Sequence, residues 1–512
     1  MILRRIAPKL PEDKYEQNFA DINPPFTPQQ SLIEASRCLY CFDAPCIKAC
    51  PTRIDVPSFI QKIGTGNLKG AARVILSANV LGESCGRVCP TEVLCEGACV
   101  LNGSEERPVE IGRLQRYAVD YVLDREIRIF QAGKPNGRRV ACIGSGPASL
   151  ACAAELAQRG YDVTIFDRNP SPGGLNTYGI AAYKTRAADS LREVKMVEAL
   201  GVKFRQGVEV MGRASHGSAE KATSLTNSLR CHPARSEGSA FQPITADSSS
   251  PSALQNDAGA VLGTMAGVAP SLEPVSCVTL DELEARYDAV FVGVGLGETW
   301  DLQLPGEDLD GVCGALQFIQ RTKSEAFAQI DVGPRVAVIG AGNTAIDAVT
   351  AARRLGAESV YLIYRRGEDS MPAFRYEYEL AQRDGVTFLW YTTPLAILGR
   401  DGAVTGLTCA RTRLEGRGRY ARVEVVAGSE FVLGVDMVVK ALGQRPVTEF
   451  LRSIPGVEVN GGRVVVDART HQAGNPKYYA AGDCVNGGKE VVDAVAEGMT
   501  AARGIDALLS HG

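Results

Sequence analysis

Two segments of this 512-residue sequence repeat one order of elements: an apolar strand, a glycine-rich turn, a helix and a second strand. The first copy spans residues 138–167 and the second spans residues 335–366. Such units are typical of parallel sheets covered by helices, in which the glycine turn brings a phosphate group to the helix N-terminus. The sequence therefore predicts an α/β protein with two Rossmann-like nucleotide-binding domains.

The first copy carries the features of an FAD site. Gly144 permits the tight turn, Gly146 lets the backbone approach a pyrophosphate, and Asp167 at the end of the second strand can hold ribose hydroxyls. Together with a Gly-Gly-Leu turn and a late Ala-Gly-Asp motif, this pattern resembles the flavin-binding halves of glutathione-reductase-like proteins. The alternative is a glycine-tight turn that binds no ligand. The candidate FAD-binding residues are Gly144, Ser145, Gly146, Pro147, Ala148, Asp167, Gly174, Leu175, Gly482 and Asp483.

The second copy indicates a nicotinamide dinucleotide. Tyr364 stands at the strand end where an NAD-specific site would carry Asp or Glu, and the two arginines that follow can pair with a 2′-phosphate. NADPH is therefore favoured over NADH, although the arginines could also form a solvated basic edge. The candidate NAD(P)-binding residues are Gly340, Gly342, Asn343, Thr344, Ala345, Arg365 and Arg366.

Eight of the 15 cysteines lie between Cys38 and Cys99. They form two groups, Cys38-x2-Cys41-x4-Cys46-x3-Cys50-Pro and Cys85-x3-Cys89-Pro-x4-Cys95-x3-Cys99. Short spacings let one loop hold several corners of an iron–sulfur cube, and a cysteine followed by proline often serves the other cluster of a pair. The spacing predicts two [4Fe-4S] clusters held by eight cysteines. A pair of structural zinc sites is the alternative.

A helix predicted after the cysteines has an apolar face formed by Ile111, Leu114, Ala118 and Val122, and Gln115 can point inward with them. From the residues alone, Gln115 is a hydrogen-bonded core amide.

The composition argues against binding to nucleic acid or to membranes. Lys and Arg total 55 against 59 for Asp and Glu, so the net charge of −4 gives no basic field for nucleic acid or anionic lipid. The sequence has no signal peptide and no apolar run of membrane-spanning length, so we expect a cytoplasmic protein that binds neither nucleic acid nor membrane. Residues 213–278 are rich in Ser, Ala, Pro and Gly, which predicts a disordered insertion.

These features together resemble the electron-accepting half of the dihydropyrimidine dehydrogenase family, including the separate flavin subunit of its bacterial two-subunit members. The resemblance rests on Cys41-Phe-Asp-Ala-Pro-Cys46, the run from Cys85 to Cys99, Ile111-Gly-Arg-Leu-Gln115 and both nucleotide motifs. Glutamate synthase small subunits and ferredoxin-linked NADP transhydrogenases share the architecture. The gap between Cys89 and Cys95, together with Gln115, favours the pyrimidine family.

The resemblance implies a ligand set that spacing alone does not. One cluster would be held by Cys38, Cys41, Cys46 and Cys99, and the other by Cys50, Cys89, Cys95 and Gln115, so that Cys85 is not a ligand. It also implies a split FAD domain. The expected domains are an α-helical iron–sulfur domain at 1–131, an FAD domain at 132–303 and 437–512, and an NAD(P) domain at 304–436.

The resemblance further implies a function. Hydride passes from NAD(P)H to FAD, and single electrons leave through the clusters to an FMN-containing partner subunit that reduces uracil or thymine. The cofactors supply this chemistry, so no catalytic acid or base is expected in the chain. A redox sensor or assembly scaffold that binds the same cofactors without turnover is the non-enzymatic alternative.

Overall fold

The computed structural model describes residues 4–104, 107–213, 276–416 and 421–510. The helices are α1 (Glu12–Asn18), α2 (Pro28–Ser36), α3 (Pro45–Ala49), α4 (Val56–Gly64), α5 (Leu68–Ala78), α6 (Gly82–Val88), α7 (Ile111–Leu123), α8 (Pro147–Gln158), α9 (Leu175–Tyr178), α10 (Ala187–Glu198), α11 (Leu280–Arg286), α12 (Ala315–Ser324), α13 (Asn343–Arg354), α14 (Arg375–Arg383), α15 (Thr448–Arg452), α16 (Asp483–Asn486) and α17 (Val491–Ser510).

The strands are β1 (Arg139–Ile143), β2 (Asp162–Asp167), β3 (Lys203–Gln206), β4 (Val208–Met211), β5 (Ser276–Thr279), β6 (Ala289–Val292), β7 (Val312–Gly314), β8 (Arg335–Ile339), β9 (Ser359–Ile363), β10 (Thr387–Leu389), β11 (Thr392–Arg400), β12 (Ala403–Glu415), β13 (Arg422–Val425), β14 (Phe431–Leu433), β15 (Met437–Lys440), β16 (Val459–Asn460), β17 (Arg463–Val464) and β18 (Tyr478–Ala480).

The first large sheet contains five parallel strands in the order β18-β6-β1-β2-β3. Its central strand β1 is apolar and buried after Arg139, as expected for a parallel strand covered on both faces. Helices α8 and α17 pack closely, since a Cβ on Gly498 would lie 2.2 Å from the Ala148 carbonyl oxygen. Both β18 and α17 follow the second unit in sequence, so the first unit is built from two separate stretches of chain.

The second large sheet is also parallel, in the order β10-β9-β8-β15-β7. Strand β15 pairs with β8 from Met437↔Val336 to Lys440↔Ile339. The domain boundary expected at residue 437 is therefore too early, because β15 completes this sheet before the chain returns to the first one. Beside it, β11, β12, β13 and β14 form an antiparallel sheet.

The cysteine-rich region is helical, and its core is formed by apolar residues of α4, α5 and α7. The residues N-terminal to the cysteine-rich region pack against a different part of the protein. Ala7, Tyr15 and Phe19 belong to the core of the second nucleotide-binding unit, where the Phe19 ring stacks on Phe327 with centroids 4.0 Å apart. The expected iron–sulfur domain at 1–131 therefore begins too early, because apolar side chains near the N-terminus anchor that segment to a different unit.

Residues 214–275 of the insertion predicted at 213–278 are not among the described residues. Its last three residues are described and form most of β5, which pairs in parallel with β4 through Val210↔Val278. The end predicted for the insertion is therefore too late, because β5 pairs with β4 and its Val278 is buried in a core shared with strands of the first sheet. None of the helices in the described part of the chain is long and apolar enough to cross a membrane.

Candidate functional site

A cavity of about 960 Å³ lies where the carboxyl ends of both large sheets face each other. Its lining includes Gly144 after β1, Asp167 at the end of β2, Gly293 after β6, Gly314 at the end of β7 and Lys440 at the end of β15. Doubly wound sheets bind ligands at this edge, because the loops that follow the strands diverge there. The volume is at the upper end of the range of small-molecule sites.

The first glycine motif forms a cradle on the wall of this cavity. Gly144 has φ +90°, and a Cβ there would lie 2.5 Å from the Gly293 carbonyl oxygen. Gly146 precedes α8 and has open space where a side chain would be, while a Cβ on Gly174 would lie 2.7 Å from the Gly146 Cα. This backbone fits a pyrophosphate held at the N-terminus of α8. The structure brings all ten candidate FAD residues to the cavity lining.

Asp167 is buried, and its carboxylate is already engaged by the protein. Its Oδ2 accepts hydrogen bonds from the backbone N of Ser145 at 2.7 Å and from Ser145 Oγ at 2.6 Å. Its Oδ1 accepts from the backbone N of Asn169 at 2.7 Å. Asp167 therefore fixes the conformation of the glycine turn, and its contact with a ribose stays a prediction.

The second glycine motif reaches the same cavity through the start of α13, whereas Gly340 and Gly342 themselves are not part of the lining. Gly340 has φ +131°, and a Cβ there would lie 2.2 Å from the Ala441 carbonyl oxygen. Gly342 caps α13 with open space around it. Asn343 and Thr344 in the first turn of α13 line the cavity, whereas Ala345 is buried in the core. The backbone N–H groups of the first turn of a helix can bind a phosphate, and the contact of this turn with NAD(P) stays a prediction.

The two predicted phosphate-binding arginines lie beyond the residues that line the cavity. Arg365 is exposed, and Arg366 is half-buried. Arg366 donates through Nη2 to the Ala421 carbonyl oxygen at 3.0 Å, while its Nη1 is buried without a hydrogen-bond partner in the described part of the chain. A buried guanidinium N–H without an acceptor is costly, and a contact between Arg366 and a 2′-phosphate stays a prediction.

Four of the predicted cluster ligands surround a second, much smaller cavity of about 30 Å³. Its lining contains the cysteines assigned to the first cluster, namely Cys38, Cys41, Cys46 and Cys99. Burial raises the pKa of Cys46 to about 11 and also raises that of Cys38. Thiolates in this buried site need a neighbouring positive charge to be stable, and iron would supply that charge.

The three cysteines of the other predicted set also lie close together. Burial, followed by the charges of Cys85, Cys95 and Cys50, raises the pKa of Cys89 well above its usual value. Burial does the same for the pKa of Cys95. Gln115 is buried on α7, and its side chain donates a hydrogen bond from Nε2 to the Gly82 carbonyl oxygen at 2.8 Å. This bond orients the amide so that Oε1 remains as a potential ligand atom.

Cys85 differs from its neighbours. It is fully buried within α6, and Asn79 Nδ2 donates a hydrogen bond to its Sγ at 3.0 Å. Burial raises its pKa far above the usual range. A thiol held by a core amide fits the expectation that Cys85 is not a ligand, but its assignment stays a prediction.

A zinc site and an iron–sulfur cluster require different arrangements of their cysteines. A tetrahedral zinc site needs its sulfurs at about 2.3 Å from one ion. Among the described residues, no three His, Cys, Asp or Glu side chains are grouped so that they could hold a single metal ion. An iron–sulfur cube needs ligands that are spread more widely, because each cysteine binds a different iron atom.

Sequence reasoning missed a charged group in the main cavity. Lys184 Nζ contacts Asp347 Oδ1 at 2.6 Å and Glu377 Oε1 at 2.5 Å, and all three side chains are buried. Lys184 follows the flavin motif, whereas Asp347 and Glu377 lie on α13 and α14 of the second unit. This group of charges joins the two units across the site. No sequence motif marks this group, because its three charged residues become buried only through tertiary packing.

Comparison with known proteins agrees with this geometry. Residues 138–498 match the family model "Pyridine nucleotide-disulphide oxidoreductase", and residues 15–127 match "Dihydroprymidine dehydrogenase domain II, 4Fe-4S cluster". The glutamate synthase [NADPH] small chain of Escherichia coli is 34% identical over 98% of this chain and 97% of its own length. The NAD-dependent dihydropyrimidine dehydrogenase subunit PreT of E. coli is 30% identical over 96% and 97%.

Among solved structures, that of FprA, an oxidoreductase of Mycobacterium tuberculosis, shares the fold. It covers 74% of this chain and 86% of its own at a TM-score of 0.50 and 18% identity. The fold and site thus define an NAD(P)H-dependent flavin and iron–sulfur oxidoreductase. The chain belongs to the family that contains the glutamate synthase small chain and PreT. Membership of an enzyme family disfavours the sensor and scaffold alternative.

Proposed function

We propose that this chain is the electron-input subunit of a two-component reductase. NAD(P)H donates hydride to FAD in the main cavity, and two [4Fe-4S] clusters carry the electrons to an FMN-containing partner that reduces uracil or thymine. One observation carries the proposal: a single cavity is lined by both nucleotide motifs and extends to Val88, the residue before Cys89. Flavin and nicotinamide would then meet beside a ligand of the second cluster.

The two cysteine sets adjoin, which supports a route from one cluster to the next. Cys46 of the first set lies close enough to Cys95 of the second to raise the pKa of Cys95 further. Electrons that enter near Cys89 could therefore continue toward the first set.

The first set lies beneath an exposed apolar surface. Phe42, which lies between Cys41 and Cys46 in the sequence, is fully exposed, with 106% of the accessible surface of a reference Phe residue. Leu39 is 63% exposed. Val100 is also exposed beside Cys99. Exposed apolar side chains that surround a cofactor site are typical of a protein interface, so we assign this surface to the FMN-containing partner.

The likeness to PreT and the pattern around Gln115 support pyrimidine as the final acceptor. A second candidate is the role of the glutamate synthase small chain, and the 34% identity over nearly the whole chain favours it. Anaerobic assays separate the two. We expect uracil reduction with NADPH only when the FMN-containing subunit is added. Uracil turnover by this chain alone would refute the need for a partner, and turnover of 2-oxoglutarate and glutamine with a large glutamate synthase subunit would establish the second role instead.

We further propose that NADPH is the preferred donor and that Arg366 binds its 2′-phosphate. Arg366→Ala should lower kcat/KM for NADPH about 10- to 100-fold, because a hydrogen bond to a charged group contributes about 1.5–3 kcal/mol. The value for NADH should change little. Arg413→Ala, which removes an exposed arginine paired with Glu424, is the control. Equal losses with NADH and NADPH would show that Arg366 supports the fold rather than the phosphate.

A further inference from the structure

A short segment of the first nucleotide-binding unit is inserted into the core of the second. This docking segment, residues 181–185, follows α9 and precedes α10, whose apolar side chains pack in the core of the first unit. Ala181 and Tyr183 are both 0% exposed, and both belong to the apolar core of the second unit. A fully buried Tyr ring removes a large apolar area from water. The docking segment therefore fastens the first unit to the second.

Polar contacts hold the docking segment at a defined place in the second unit. The Tyr183 hydroxyl donates to Asp347 Oδ1 at 2.9 Å, and the Arg354 guanidinium lies over the Tyr183 ring, 4.3 Å from its centroid. Lys184 Nζ contacts both Asp347 and Glu377. Burial lowers the pKa of Lys184, but the charges of Asp347 and Glu377 outweigh burial and raise it above its usual value. The ammonium therefore stays charged, and its directed contacts specify an orientation of the two units.

The covalent connection between the two units is narrow. The chain enters the second unit through residues 294–300 and returns through residues 441–447, and an antiparallel bridge joins the two stretches. Gly295 and Gly443 in these stretches have φ of +63° and +82°, with open space where a side chain would be. A short two-stranded ribbon is marginally stable by itself, and glycines let its backbone bend. We therefore expect the docking segment, more than this connection, to set the angle between the units.

The docking segment adjoins both nucleotide sites. Most of residues 174–180, which precede it, line the flavin side of the main cavity, and Lys184 lines the cavity as well. Asp347, which accepts from the segment, stands on α13, and the first turn of that helix carries Asn343 and Thr344 of the nicotinamide site. The contact between Lys184 and Asp347 thus connects the wall of one site to the helix of the other.

Hydride transfer between two bound dinucleotides depends on the distance and orientation of their rings, and small displacements slow it strongly. We propose that Tyr183 and Lys184 are positioning residues for this transfer, because they hold the second unit at the angle at which a bound nicotinamide faces the flavin. Neither side chain needs to touch a reacting atom. The inference rests on the proposed entry of electrons from NAD(P)H, and it holds whichever partner receives the electrons.

The test compares Tyr183→Phe and Lys184→Met with Lys203→Met, which removes an exposed lysine paired with Asp162 inside the first unit. Stopped-flow absorbance measures flavin reduction over a range of NADPH concentrations. We expect the limiting rate to fall about 10- to 100-fold in Lys184→Met and about 3- to 10-fold in Tyr183→Phe, because a displacement of about 1 Å suffices for such losses. The NADPH concentration at half the limiting rate should change less than about twofold, since both variants keep the second glycine motif.

Further measurements separate positioning from a general loss of structure. Flavin content, iron content and flavin reduction by dithionite should match the wild type, whereas amide hydrogen exchange in α13 and α14 should rise in both variants and not in the control. Lys184→Arg keeps the charge and should recover most of the limiting rate. If Lys184→Met does not retain flavin, because two buried carboxylates have lost their cation, Tyr183→Phe decides the test.

The proposal is overturned if Tyr183→Phe, with its flavin in place, is reduced by NADPH at the rate of the control. It is also overturned if weaker NADPH binding accounts for the whole loss, or if reduction by dithionite slows to the same extent, because the angle of the second unit does not affect a reductant that needs no site there. Failure of NADPH to reduce the flavin of the loaded wild type would instead refute the proposed function itself.

Discussion

Replacing Gln115 by leucine should leave the purified chain with about half of its iron, whereas Cys85→Ser should keep about eight iron atoms per chain. The reason is the different use of the two side chains. The Gln115 amide is oriented through Nε2 by the Gly82 carbonyl, which leaves Oε1 for a metal. The Cys85 thiol is held inside the helical core by Asn79.

Gln115→Glu is the matched variant, since it keeps an oxygen at the same place and should retain more iron than Gln115→Leu. Iron analysis and electron paramagnetic resonance of the reduced protein provide the readouts. If Cys85→Ser loses a cluster and Gln115→Leu loses none, all eight cysteines are ligands and the assignment by family resemblance is wrong.

Much of the fold could be predicted, because its signals are local. A glycine in a tight turn between an apolar strand and a helix is evident from a few residues, as the conformations of Gly144 and Gly340 show. The order of strands within each sheet also follows the expected α/β class. Local patterns of this kind identified both walls of the main cavity.

The errors concern residues whose partners are distant in sequence. Strand β15 pairs with β8 about 100 residues earlier, so no local pattern around residue 437 assigns it to the second sheet. Phe19 packs on Phe327 for the same reason. Side-chain burial and strand pairing over such separations depend on tertiary packing, which overrides local preference.

The functional site also depends on contacts that no local sequence pattern reveals. Asp167 was expected to face a ribose, but its short side chain also reaches the neighbouring backbone and Ser145, and these contacts use both carboxylate oxygens. Lys184, Asp347 and Glu377 have no motif in common, and only the approach of the two nucleotide-binding units brings them together. Spacing located the cysteines but does not say which of them are ligands, and the exclusion of Cys85 stays a prediction.

A second large effect is expected from Cys41→Ser. Cys41 lines the small cavity with the other cysteines of the first set, beneath the exposed Phe42. If the first cluster is the point of electron exit, its loss should interrupt delivery to the partner and leave the flavin chemistry intact. We expect NADPH to bleach the flavin at a rate within about twofold of the wild type, while partner-dependent turnover falls at least 100-fold, because no cofactor then bridges the gap to the partner.

The most direct test of the proposed electron path is a paired anaerobic measurement on wild type, Cys41→Ser and Cys85→Ser. Stopped-flow absorbance follows flavin reduction by NADPH, and a parallel assay with the FMN-containing subunit follows uracil reduction. We expect fast flavin reduction in all three proteins and loss of uracil reduction in Cys41→Ser alone. Uracil reduction by Cys41→Ser at the wild-type rate, with the first cluster shown to be absent, would contradict the proposed electron path.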